Sequence, residues 1–477
     1  MPLYLDREEL LEYLQAACVP EARRCVGLEW EKEAVDSHGR RLPFHGEGGI
    51  EALLSSLARD YGWSEQREGE HVIALDRGSE GENITLEPGG QIEYASPPRR
   101  RLVDIEIDVR RHLGELQDVT SGWDAQFLQT GFTPVQICAD IDLVPKARYQ
   151  LMDEYLGATG DLSRHMMRGT TSVQVSFDFN SPDDCANKFQ AALGLTPVVT
   201  ALLANSPLAE GAANGFLSYR TRCWQRTDPA RTGLLDELVS RSPSIEGYLD
   251  WALGVPMMFY RCEGTMRNAG GRSFGEWMKA GIDGQHPDLD DFELHLTSLF
   301  PEVRLKKYIE LRGADNGSLD RILAIAALWK GLLYDRFALG DARELAAELG
   351  VGDAPPTLLD VAASQGLQGN WNGRSLQLWA AELVDIAAEG LMHQDPDGPA
   401  EVAYLAPLQE LVDSGRCPAR DVLDVWEGHE VAAEAIAELA YPPLQDIPAV
   451  SPEAGLVSRS VADVRARRAG SPQPPTH

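Results

Sequence analysis

Apolar side chains along the chain recur at two spacings. Over residues 7–19, Leu10, Leu11, Leu14 and Ala17 return at the three-to-four interval of one helix face. A strand is predicted over Cys25–Glu31. A helix over Gly49–Tyr61 then turns Ile50, Leu53, Leu54 and Leu57 to one side. Strands follow over Val72–Asp76, Ile84–Glu87 and Gln91–Tyr94, the last two joined by a Pro88-Gly89-Gly90 turn. Residues 102–117 read as an amphipathic helix and Phe132–Ile141 as a strand. Val173–Phe179 alternates Val and Phe with Gln, Ser and Asp, the signature of a half-buried strand. Residues 183–204 are helical up to an Asn205-Ser206-Pro207 stop, and Leu319 to Ala440 is mostly helix, rich in Leu and Ala.

The order lacks a regular strand–helix–strand rhythm, which argues against a doubly wound parallel sheet. It predicts an α+β fold: a mainly antiparallel sheet flanked by helices, with a helical C-terminal half. Residues 1–440 are expected to form a single catalytic domain. Residues 441–477, rich in Pro, Ser and Arg, are expected to be a flexible tail.

Charge narrows the function. Seventy-four acidic and 43 basic side chains leave a net charge of −31 over 477 residues. Such a surface repels phosphate backbones and anionic lipid, so neither nucleic acid nor membrane is an expected partner. No apolar run approaches the roughly 20 residues that cross a bilayer. The first residues, MPLYLDREELLEYL, are acidic and lack a signal-peptide pattern. Seven cysteines, an odd number without a CxxC pair, argue against a disulfide framework or a structural zinc site. The expected setting is a reduced cytoplasm. Nucleotide-loop and nucleophile-elbow motifs are absent: Gly46-Glu47-Gly48-Gly49 completes no dinucleotide fingerprint, and His429-Glu430-Val431-Ala432-Ala433 lacks the second histidine of a zinc-protease helix.

The informative feature is acid on strands. Glu29 and Glu31 are two apart, so both point to one sheet face. Glu87, Gln91 and Glu93 surround the Pro-Gly-Gly turn, and Glu310 with Arg312 repeats the spacing. Like charges on one buried face are costly unless compensated. Mg²⁺, held by a few carboxylates together with substrate phosphates, would compensate them. A solvated sheet face is the plainer explanation for any one pair, and three such pairs in apolar strands weigh against it. A second feature reverses the sign: Arg220, Arg222, Arg226 and Arg231 fall within twelve residues, interleaved with Trp224. Arginine forks hold carboxylates and phosphates bidentately.

The segments VGLEWEKE (26–33), ITLEPGGQIEY (84–94), MMRGTTSVQVSFDF (166–179), 204–233 around SYRTRCWQR, and HLTSLFPEVRLKKYIELRGAD (295–315) resemble the glutamate–cysteine ligases of the plant and proteobacterial type. They keep that family's order over residues 20 to 440. The resemblance implies a glutamine-synthetase-like carboxylate–amine ligase, its sheet curled into a funnel for Mg²⁺-ATP and glutamate. It implies that Glu29, Glu31, Glu87, Glu93 and Glu310 are metal ligands. Arg312, with Glu310, would be catalytic, and Arg312 with Gln91 would hold the nucleotide. Arg220, Trp224 and Arg231 would bind glutamate, and Gln174 and Asp178 would line the same funnel. The implied reaction joins the γ-carboxylate of glutamate to the amine of cysteine through a γ-glutamyl phosphate, in a monomer or homodimer. The alternatives are a related ligase with another amine acceptor and a non-catalytic homologue. Gly169, Thr170 and Ser172 stand where plant members carry a threonine–cysteine run, so no plant-type regulatory disulfide is expected. Trp30 replaces the usual histidine of the first motif.

Overall fold

Alternation of apolar and polar side chains builds one eight-stranded sheet in which every neighbouring pair is antiparallel. The computed structural model describes residues 5–235, 243–350, 356–394, 397–429 and 431–450. The strands are β1 (Val26–Lys32), β2 (Ser64–Glu68), β3 (His71–Arg77), β4 (Glu82–Leu86), β5 (Ile92–Ala95), β6 (Ser172–Phe177), β7 (Val303–Leu305) and β8 (Ile309–Asp315). Their order across the sheet is β7-β8-β6-β1-β5-β4-β3-β2.

Register separates the two faces. Leu28 opposes Val175, Trp30 opposes Tyr94, and Ile84 opposes Tyr94, giving a continuous apolar face. On the other face Glu31 opposes Glu93, Glu93 opposes Thr85, and Glu29 opposes Gln174. Helix α1 (Arg7–Gln15) starts with a reciprocal Asp6–Glu9 capping box and buries Leu10 and Leu14. Helices α2 (Ile50–Tyr61) and α3 (Leu102–Val119) pack on the β2–β5 half and on each other. Helix α4 (Ala147–Thr159) and α5 (Ser163–Gly169) lead into β6. The long α6 (Pro182–Leu203) lies against β8, its Thr200 hydroxyl donating to the Gly313 carbonyl. After the short α7 (Tyr219–Gln225), α8 (Leu319–Tyr334) packs on the apolar face at β1 and β6. Helices α9 (Arg336–Leu349) and α10 (Leu376–Met392) build the helical layer behind it.

Two expectations change, and one strand was not foreseen. Phe132–Ile141 is no strand: Phe132 makes a single isolated bridge to Thr170, and Cys138–Asp140 is one 3-10 turn. Pro134 cannot donate to a ladder, which limits the segment's pairing. Strand β2, Ser-Glu-Gln-Arg-Glu, is mostly exposed. It carries no apolar alternation, and its charges blunt the sheet edge. Residues 441–450, grouped with the tail by composition, lie on the core. Tyr441 is buried, and its hydroxyl receives the Trp30 indole N–H at 3.1 Å. The rest of the expected tail, 451–477, lies outside the described residues.

Candidate active site

The polar face of the sheet floors a cavity of about 260 Å³. Glu29 and Glu31 reach it from β1, Glu93 from β5, Thr85 from β4 and Gln174 from β6. Glu87 enters from the turn between β4 and β5. That turn demands both glycines: Gly90 has φ +84°, and a Cβ at Gly89 would lie 2.5 Å from the Arg168 carbonyl oxygen. Arg304 and Arg312 extend the same floor from β7 and β8, Lys306 follows β7, Lys146 and Arg148 come from the start of α4, and Trp224 and Phe300 add apolar wall. A larger surface depression of about 840 Å³ lies between α3 and residues 440–445, but Asp118 is its only charged side chain.

Glu31 and Glu93 are held in place. The Ser172 N–H donates to Glu31 Oε2 at 2.7 Å, and the Thr85 hydroxyl donates to Glu93 Oε1 at 2.7 Å. The Gln174 amide donates to Glu31 Oε1 at 3.1 Å, while its carbonyl oxygen accepts from Arg312. Gln174 therefore couples the acidic and basic groups. Burial raises the Glu31 pKa to about 8, with repulsion from Glu87 and Glu93 adding to it. Burial likewise raises Glu29 to about 7, reinforced by Glu310 and Glu93. Glu93 is raised too, by burial and then by Glu87. Burial lowers the Lys146 ammonium to about 8.

Seven of the expected site residues line this cavity: Glu29, Glu31, Glu87, Glu93, Gln174, Trp224 and Arg312. Arg312 follows Leu311, where the β8–β6 register shifts, and such irregularities re-aim side chains. Five do not line it. Glu310 is fully buried; Arg304 donates to its Oε2 at 2.6 Å, Arg312 to the same oxygen at 3.1 Å, and Lys306 to Oε1 at 3.2 Å. Burial opposes its ionisation, and these three cations overcome that and hold its carboxyl well below the usual range. Gln91 precedes β5 and spends its amide on the Met167 and Thr170 carbonyls, because the chain there needs donors for buried backbone. Asp178 follows the end of β6, where it accepts the Cys25 N–H at 2.7 Å. Arg231 is buried against Asp228 at 2.6 Å and the Ser298 and Pro256 carbonyls. Arg220 is 1 % exposed and donates to the Arg312 carbonyl.

Sequence reasoning missed five lining cations and polar groups of consequence. Arg304 and Lys306 carry a signal, since Arg304-Leu305-Lys306 alternates like a strand inside the quoted FPEVRLK segment. Lys146, Arg148 and Tyr149 sit on a loop and the first turn of α4, where no local pattern marks them. Arg148 makes no ion pair among the described residues, and its Nε is buried without a hydrogen-bond partner.

Residues 25–441 match the model of glutamate-cysteine ligase family 2 (GCS2). The chain belongs to this family. A chloroplastic glutamate–cysteine ligase of Nicotiana tabacum is 36% identical over 427 residues, 89% of this chain and 80% of its own length. The Arabidopsis thaliana chloroplastic enzyme matches with the same identity and coverage. Among solved structures, a glutamate–cysteine ligase from Francisella tularensis in complex with AMP aligns with TM-score 0.57 at 13% identity, covering 94% of this chain and 95% of that one. That likeness supports the fold of this family member: a mixed fold around a large antiparallel sheet. The expectation of a cytoplasmic setting is corrected, because these plant relatives are named chloroplastic enzymes. Cysteine usage and the pattern of the first residues do not fix a compartment.

Proposed function

We propose that this member of the family catalyses ATP-dependent ligation of L-glutamate to L-cysteine, giving γ-glutamylcysteine, ADP and phosphate. The observation that carries the proposal is one cavity lined by four carboxylates and five cations, the two groups joined through Gln174. A carboxylate oxygen is a poor leaving group. The γ-carboxylate oxygen of glutamate attacks the γ-phosphorus of ATP, the bond to ADP breaks, and an acyl phosphate forms. The cysteine nitrogen then attacks the acyl carbon, phosphate leaves, and the nitrogen loses a proton.

Mg²⁺ fits the floor. The lining acids are oxygen donors without imidazole, four carboxylates gathered at one cavity. Glu29, Glu31, Glu87 and Glu93 would hold it. Among the described residues, no three of these acids bring their oxygens within 4.8 Å of one another, so a bound ion would draw them together and share its coordination with phosphate oxygens. When bound, the ion neutralises phosphate charge and polarises the phosphorus.

The chain's own groups supply positioning. Arg304, Lys306 and Arg312 are oriented by Glu310 and face the phosphate that is transferred. Glu310 is thus a positioning residue rather than a ligand. Arg148, with its unpaired guanidinium, takes the role first expected of Arg220 and Arg231 and binds a carboxylate of glutamate. Trp224 lies with its ring centroid 5.6 Å from the Arg312 guanidinium carbon and limits that side chain's motion. The test is Mg²⁺-dependent ADP release. It must require glutamate and cysteine together, and phosphate and γ-glutamylcysteine must appear in equal amounts. Folded protein that turns over ATP equally well without cysteine, or with another amine in its place, defeats the assignment.

A further inference from the structure

Outside the cavity, three side chains from separate segments converge. Glu51 stands in the first turn of α2, His45 in the loop that leads into it, and His71 at the start of β3. The Nδ1 of His71 lies 3.4 Å from both Glu51 oxygens, and the Nδ1 of His45 lies 3.5 Å from Glu51 Oε2. One ligand atom from each residue lies within 4.8 Å of the other two. None of the three lines the cavity of the candidate active site.

We propose that His45, Glu51 and His71 form a peripheral site for one divalent transition-metal ion of the zinc class. The two histidine–carboxylate separations favour this over simple hydrogen bonding. They exceed the roughly 2.7–3.2 Å of a good N–H···O bond. They match the edge of a tetrahedron whose metal–ligand bonds are about 2.0–2.2 Å, an edge of about 3.3–3.6 Å. Two imidazole nitrogens and one carboxylate with an open position suit a borderline cation, whereas hard Mg²⁺ prefers all-oxygen sites. The carboxylate is already oriented, because Glu51 Oε1 accepts the Val72 N–H at 3.0 Å. The rings are steadied as well: Phe44 meets His45 and His71 edge-on at 4.8 and 5.8 Å. The His45 side chain is 63% exposed, which gives the ion an entry path and leaves room for a water ligand. Bound metal would clip the loop before α2 to the start of β3.

The experiment uses the full chain, stripped with chelator and titrated with Co²⁺ and then Zn²⁺ in the absence of nucleotide. One Co²⁺ is expected to bind with the intense visible absorption of a four- or five-coordinate ion, and Zn²⁺ should displace it. His45→Ala and His71→Ala should each weaken binding by more than the roughly 10- to 100-fold that loss of an outer-shell partner costs. Glu51→Gln keeps the side chain's size and an oxygen for the Val72 N–H. It should lose the band while melting normally in chelator, which guards against a folding defect in the alanine variants. His38→Ala removes the nitrogen of the nearby Asp36–His38–Asp124 group and should leave the band intact. A wild-type chain without the band overturns the proposal. So does a band that survives His45→Ala and His71→Ala, or one lost only in His38→Ala.

Discussion

Glu31 and Glu93 face each other as paired residues on adjacent strands, and their burial outweighs the attraction of nearby arginines. In the metal-free protein the folded chain therefore keeps protons that the unfolded chain has lost. Glu29 titrates at about 7 and Glu31 at about 8, against an ordinary 4.5. Folded pKa values above the unfolded ones mean that stability falls as pH rises between those limits. Glu31→Gln removes one such group. Measured in chelator, its melting temperature should move above that of the wild type as pH rises from about 5 to about 8. A gap that stays constant over that range would show that Glu31 titrates normally. The same variant, and Glu93→Gln, should lose activity by on the order of 100-fold or more, the cost of removing one preorganised electrostatic contact. Near-normal turnover of both at saturating Mg²⁺ would move the metal elsewhere. Arg148→Ala should raise the KM for glutamate by roughly ten- to a hundredfold, a lost charge-assisted bond of about 1.5–3 kcal/mol, and change that for ATP little. An unchanged glutamate KM would return the carboxylate clamp to another cation. The acids were legible because a strand has a period of two, so spacing alone places Glu29 with Glu31. The arginine cluster misled because it lies partly on a helix. Arg220 turns into the core, Arg222 and Arg226 approach Asp360 and Asp161 outside, and Arg231 serves Asp228.

Helices α8 and α10 meet through glycine. A Cβ on Gly390 would lie 2.0 Å from the Gly331 carbonyl oxygen, and one on Gly331 would lie 2.2 Å from that of Ala387. Backbone cannot yield as a flexible side chain would, so the helices must part. Gly390→Ala should cost about 1–3 kcal/mol, read from the denaturant midpoint. Activity per folded molecule should hold, since α8 packs on the apolar face of β1 and β6, opposite the cavity. Unchanged stability would mean that the pair tolerates a wider spacing. This helical half was readable as helix from its long Leu- and Ala-rich run, yet its interhelical contacts were not, because glycine spacing is meaningful only once partners are known. The limit is the same for Phe132–Ile141 and β2. Local composition described the side chains, and pairing depended on what lay across from them. Lys146 and Arg148 reach the site for a similar reason: Lys146 donates to the Leu86 carbonyl, a contact set by tertiary packing across 60 residues.

How the chain is closed at its C-terminal end bears on the site through β1. Tyr441 is 6% exposed, with its ring 5.2 Å from that of Trp30 in an edge-on contact. Its hydroxyl also reaches Asn316 at 2.9 Å, and Asn316 accepts the Trp30 N–H as well. Trp30 sits between Glu29 and Glu31 and points to the opposite face, so it anchors the strand that presents them. Further along, Arg110 donates to the Ile447 carbonyl at 3.1 Å, and the Val450 N–H donates to Glu106 at 3.0 Å. Two truncations then separate composition from contact. A chain ending at 450 keeps every one of these contacts and should match the full chain in melting temperature and turnover. A chain ending at 440 loses the Tyr441 ring and the ties beyond it. Emptying a buried aromatic site costs about 3–5 kcal/mol, and the loosened Trp30 should also lower turnover through the two acids of β1. Tyr441→Phe refines the test. It keeps the ring and removes only the hydroxyl, so it should cost about 1–3 kcal/mol for the donors and acceptors left unpaired. If the chain ending at 440 melts with the full chain, the docking of 441–450 contributes nothing to the fold. If the chain ending at 450 loses activity, residues 451–477 take part in the reaction despite carrying none of the motif residues.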